Sequence, residues 1–201
     1  VITYVVIIRR FQTTTPRKKM LEIVAVVAVL LGFFVFSKIR QRRQLRFIYS
    51  YSFHPALAKK VKAKYPHLSD SQVRTVFDGL RDYFTFCNQA KRRMVAMPSQ
   101  VVDVAWHEFI LFTRAYERFS RKAIGRFLHH TPTEAMRTPT LAQEGIKRAW
   151  RLACAKEGIN PRVPERLPLL FAMDSLLEIE DGFKYSVDCR NKSSPNCGGG
   201  Y

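Results

Sequence analysis

The sequence predicts an all-α protein: a helical bundle domain following a single N-terminal transmembrane helix. Three observations predict it. The run from Ile23 to Phe36 is fourteen residues without a polar side chain. Basic residues bracket that run, with Arg17, Lys18 and Lys19 before it and Lys38, Arg40, Arg42, Arg43 and Arg46 after it. Beyond position 55, apolar residues recur at three- and four-residue steps, the period of a helix.

Composition narrows the function classes. The chain has 201 residues, 34 Lys+Arg against 16 Asp+Glu, and a formal charge of +18. With 47% hydrophobic and 12% aromatic residues it has enough apolar surface to bury a core. Four cysteines are too few to organise a disulfide scaffold. The first fifty residues hold ten Lys/Arg and one acid, Glu22, so half of the excess charge lies in a quarter of the chain. A nucleic-acid domain can be this basic, but cations that flank an apolar segment fit a membrane anchor better. The expected partner is therefore anionic lipid, not nucleic acid.

At about 1.5 Å per residue the apolar run spans roughly 21 Å, against about 30 Å of bilayer core. Met20 and Leu21, across Glu22, extend it to seventeen residues. The competing reading is a buried core helix. The expected organisation is a tail over 1–19, a transmembrane helix over 20–37 and a basic juxtamembrane segment over 38–50. A helical domain over 51–181 and a flexible Cys/Gly-containing tail over 182–201 follow. Val1 is an unusual first residue. Counted from Met20, the positive-inside rule puts the C-terminal domain in the cytoplasm; counted from Val1, the two sides tie.

The helices follow in order. Pro55 suits the first turn of a short helix to Lys64, which Pro66 ends. Ser69 with Gln72 reads as a capping box for a helix to about Lys91 that carries Val73, Val76, Phe77, Leu80, Phe84 and Cys87 on one face. Ser99 caps a third helix from about Gln100 to Ala123, closed by Gly125. Residues 126–139 form a loop with His129 and His130. A fourth helix runs from Thr140 to Glu157, and a short last one from Leu169 to Leu177.

The third helix carries the candidate site. Its apolar arc is so wide that it belongs at the centre of the bundle. Glu108 falls inside that arc, so its carboxylate needs a partner, such as an arginine or backbone N–H groups, or a proton. His107 follows Asp103 by four residues, which puts both on one face and lets the carboxylate set the imidazole tautomer. A loop that folds back brings His129 or His130 toward His107. Together with Asp103 or Glu108 these histidines make a candidate site for a divalent metal, zinc first. The zinc-protease helix motif is absent, because residue 111 is Leu. Cys189 and Cys197 offer ligands, a redox pair, or incidental thiols of a solvated tail. No P-loop, nucleophile elbow or dinucleotide fingerprint occurs.

Val102-Asp103-x-x-Trp106-His107, then Tyr116 and Phe119, then Gly125-Arg126-x-Leu128-x-His130-x-Pro132 resembles the glycine-rich domain-containing protein-like family. The match covers about 35 residues, roughly 100–136. Bacterial proteins of this kind often carry an N-terminal membrane segment, a helical domain and a Cys/Gly-rich tail. The resemblance implies a helical domain with Trp106, His107 and His130 as signature positions, and it implies no catalytic activity. The expectation is a single-pass protein of the bacterial inner membrane whose cytoplasmic domain binds a protein or small ligand through Asp103, Trp106, His107, Glu108 and His130. The rival is a metal-dependent enzyme centred on His107, Glu108 and His130.

Overall fold

The computed structural model describes residues 16–130 and 139–187. They form seven α-helices and no strand, so the protein is all-α. The chain divides into two compact units, one up to Arg42 and one from Arg43 onward.

Helix α1 (Pro16–Ser50) continues through the basic stretch without a break. Past Gly32 it has neither Gly nor Pro, and Arg, Gln and Leu are strong helix formers. From Arg17 to Ser50 it is long and apolar enough to cross a membrane. The large side chains from Ile23 to Phe36 are all exposed. A core helix would bury them, so the core-helix reading does not hold.

The second unit begins with the last two turns of α1. Ile48 is fully buried, and Leu45 and Phe47 pack against the core, so the domain reaches back before residue 51. Then come α2 (Pro55–Lys64), α3 (Asp70–Ala90), α4 (Gln100–Ile110), α5 (Thr113–Ile124), α6 (Pro139–Glu157) and α7 (Leu169–Leu176). Ser69 and Gln72 form the expected capping box on α3. The cap of α2 is His54, whose Nδ1 accepts from the Ala56 N–H at 3.1 Å.

Helix α3 packs on α2, α4, α5, α6 and α7. Every residue from Asp82 to Asn88 is buried. Gly79 permits the close approach: a Cβ there would lie 2.7 Å from Met173 Cε and 3.1 Å from Val102 Cγ2. The centre of the core is aromatic. Phe119 has its ring centroid 4.7 Å from Phe84, 4.6 Å from Tyr51 and 5.3 Å from Phe109. Edge and tilted contacts of this kind add to the area each ring buries.

The expected single helix over 100–123 is two helices. The break falls at Leu111–Phe112, where Phe112 leaves helical geometry with ψ 58°. No Gly or Pro marks it. The cause is tertiary: Trp106 Nε1 donates to Tyr116 Oη at 3.1 Å. On a straight helix these residues would be about 15 Å apart along the axis. Folding α5 back closes that gap and brings Tyr116, Phe119 and Ala123 into the core.

The start of α4 is fixed from α7. Asp174 is 2% exposed, and it accepts from Ser99 Oγ at 2.6 Å, Gln100 N at 2.7 Å, Val101 N at 3.2 Å and Phe183 N at 2.8 Å. A carboxylate on the free N–H groups of a helix N-terminus satisfies both the hydrogen bonds and the helix dipole. The Phe183 contact and the packing of Tyr185 on Phe171, at 4.9 Å, attach 182–187 to the domain rather than to the expected tail. Cys189 and Cys197 lie outside the described residues.

Candidate functional site

Asp103 and His107 are one turn apart on α4, on the side facing the loop that follows α5. Asp103 uses both oxygens: Oδ2 lies 3.3 Å from His107 Nδ1, and Oδ1 lies 3.2 Å from His130 Nε2. Side-chain exposure falls from 49% at His107 to 21% at Asp103 and 14% at His130, so the group lies at a boundary between solvent and core.

His130 arrives through a chain of local constraints. Gly125 ends α5 at φ 82°, a left-handed conformation that glycine adopts without steric cost, and its N–H bonds the Arg121 carbonyl. Tyr116 Oη then donates to the Leu128 carbonyl at 2.5 Å while accepting from Trp106 Nε1. Burial pushes the Tyr116 phenol up to about 12, which keeps its proton available for that carbonyl. Two residues on, the His130 ring meets Trp106 edge to face, centroids 4.5 Å apart, and lies 4.1 Å from the His107 ring. The core thus holds the loop, and the loop delivers the second histidine.

These side chains line a cleft of about 490 Å³, a volume typical of small-molecule sites. Tyr83 and Cys87 lie on its inner wall. The Tyr83 hydroxyl donates to the Val95 carbonyl at 3.0 Å. Burial pushes the Cys87 thiol up to about 12, which favours the neutral thiol.

Four expected site residues come together: Asp103, Trp106, His107 and His130. Two do not join them. Glu108 is half-buried and pairs with Lys60 of α2 at 2.5 Å. Its place in the apolar arc of a helical projection overstated its burial, because the α2 surface it meets supplies an ammonium. His129 is exposed, with its ring 4.8 Å from Phe127; it reaches the cleft but not the cluster. The alternation of side chains along the loop turns His129 away as His130 turns in. The candidate metal-ligating set is therefore Asp103, His107 and His130, one donor atom of each lying within 4.8 Å of the others. Zinc bound at about 2.0–2.1 Å to tetrahedral donors separates them by about 3.3 Å; the two carboxylate–imidazole distances run to different oxygens of Asp103, so a shared cation would draw the three donors closer together than the 4.8 Å within which they lie. With three protein ligands, the fourth position is left for water or substrate.

Three arginines line the same cleft: Arg126 stands without a role in the motif quoted above, and Arg92 and Arg93 were not singled out from the sequence. The signal was present: Lys91-Arg92-Arg93 is a run of cations at the end of a helix. Lys91 holds φ 59° in the turn that follows α3.

A family model described as UCP032817-like matches residues 41–201, a span that contains the whole cleft. No curated protein and no solved structure matches the chain.

Proposed function

The chain belongs to the UCP032817-like family, and from that premise we propose that it is a membrane-anchored binding module that holds a divalent cation, zinc first, in a ligand cleft. Asp103, His107 and His130 are the ligands. The observation that carries the reading is one carboxylate reaching two histidines from separate elements, with one donor atom of each residue within 4.8 Å of the others. Trp106 backs His130, their ring centroids 4.5 Å apart. The anchor is α1, in the bacterial inner membrane with the domain on the cytoplasmic side. Counted from Met20, the basic residues after Phe36 favour that orientation, and anionic headgroups are their partners.

The test is elemental analysis and zinc titration of the full chain purified in detergent. One zinc per chain is expected, with affinity reduced at least about tenfold in His107→Ala and in His130→Ala, and unchanged in Glu108→Gln. A wild-type chain that takes up no zinc, nickel or manganese rejects the cation. A metal-dependent enzyme is the second reading, favoured by the open fourth position of a three-ligand site. In that case Glu108, paired with Lys60, lies outside the ligand set.

A further inference from the structure

We propose that the arginine wall of this cleft binds a phosphate monoester, one oxygen of which faces the cation; the proposal rests on the cation reading for that single contact. Arg92, Arg93 and Arg126 line the same cleft as Asp103, His107 and His130. Asp103 is the only carboxylate among the described lining residues, and both of its oxygens face histidines. Among the described residues, the guanidinium charge is therefore not balanced from within the cleft.

What sets these cations apart is that three of them line one concave cleft. On α2, Lys60, Lys62 and Lys64 pair with Glu108, Asp70 and Asp181. Among the described residues, Arg92 and Arg93 have no carboxylate partner, and Arg126 bonds only to the carbonyls of Lys91, at 2.9 Å, and Phe127, at 3.4 Å. The first of those bonds joins the two segments that carry the arginines. The turn fixes the other side: Lys91 at φ 59°, with the Arg93 N–H on the Ala90 carbonyl. The backbone that carries Arg92 and Arg93 is thus set by the turn and tied to Arg126, while the Arg92 and Arg93 side chains remain exposed on the cleft.

The chemistry selects the anion. Guanidinium groups present forked N–H donors that match phosphate oxygens. A dianionic phosphate monoester balances more of this charge than a carboxylate, and its third terminal oxygen remains for the cation. Met94, Met97 and Phe183 on the same cleft provide apolar surface for the esterified group. That group belongs either to a water-soluble metabolite or to a lipid headgroup such as phosphatidic acid.

The experiment is calorimetric titration of the full chain, in a detergent free of phosphate, with inorganic phosphate and with dihexanoyl phosphatidic acid. Each is run with and without zinc, on wild type, Arg92→Gln and Arg126→Gln. Phosphate is expected to bind, more tightly with zinc, and to weaken about tenfold in each arginine variant while zinc affinity holds. Arg92 is exposed, so its variant keeps the fold, and undiminished zinc affinity reports an intact cleft. Zinc binding without phosphate binding, or phosphate affinity unmoved by both substitutions, overturns this proposal and leaves the cation reading standing. No zinc binding, with phosphate still weakened by the substitutions, overturns the cation and upholds the arginine site. About tenfold preference for phosphatidic acid assigns the headgroup, and equal affinity assigns a soluble monoester; both uphold the site.

Discussion

Tyr116 is the residue on which the cleft most depends. Its hydroxyl joins the Trp106 indole to the Leu128 carbonyl, both buried, two residues before His130. Tyr116→Phe keeps the ring and leaves a buried indole N–H and a buried carbonyl without partners. A cost of about 1–3 kcal/mol is expected in chemical denaturation. Zinc affinity should fall about 10-fold or more, because the loop that aims His130 loses its tether. An unchanged zinc titration alongside lower stability would show that Trp106 and Asp103 aim His130 without the tether. The contrast with Glu108 is instructive at this scale. Helical projection put it among apolar side chains, and its surroundings turned on Lys60, forty-eight positions earlier in the chain.

Among the elements, α3 and α6 are tied through Asp82. Its carboxylate is 5% exposed and accepts from Lys156 Nζ at 2.6 Å. Burial raises its pKa above the ordinary 3.8, and the Lys156 ammonium offsets this only in part. The folded state therefore holds the Asp82 proton more tightly than the unfolded chain does. Its contribution to stability is complete below about pH 3.8 and is lost as pH rises through the folded value. Comparing wild type with Asp82→Asn by urea denaturation at pH 4 and pH 7 reads this directly. The variant should gain relative to wild type on going to pH 7. A relative loss would mean that the Lys156 pair outweighs burial.

Helix boundaries were largely legible because capping chemistry is local. Pro55, the Ser69–Gln72 box and Gly125 each stand where the structure begins or ends a helix. The break between α4 and α5 was not legible. Nothing within five residues of Phe112 disfavours a helix strongly enough to end it, and the bend is selected by the Trp106–Tyr116 contact. Asp174 was equally silent: a lone aspartate in an apolar helix gives no sign that it will cap another helix more than seventy residues away.

For the whole molecule, the charge distribution and α1 argue together. A helix of 34 residues reaches about 50 Å, more than the roughly 30 Å of a bilayer core, so the basic residues just past the apolar run, Lys38, Arg40 and Arg42, can stand in the headgroup region. The full chain is expected to pellet with membranes after lysis, to resist salt and alkaline washing, and to be released by detergent. Recovery in the supernatant without detergent would remove the anchor. Substituting Arg40, Arg42, Arg43 and Arg46 by Glu should weaken or invert insertion in a reporter-fusion assay; unchanged topology would count against orientation by charge.

The sequence by itself determined the class of the protein, its apolar span, most helix ends, and the sharing of a helix face by Asp103 and His107. All of these depend on covalent neighbours or on residues one helical turn apart, and such interactions are set by spacing alone. The tertiary structure decided which histidine of the adjacent pair turns inward, that Glu108 goes to Lys60, and that three arginines share a cleft with the histidines. Those outcomes depend on how α5 folds back on α4, and that bend is stabilised by contacts between residues that spacing along a single helix would keep apart.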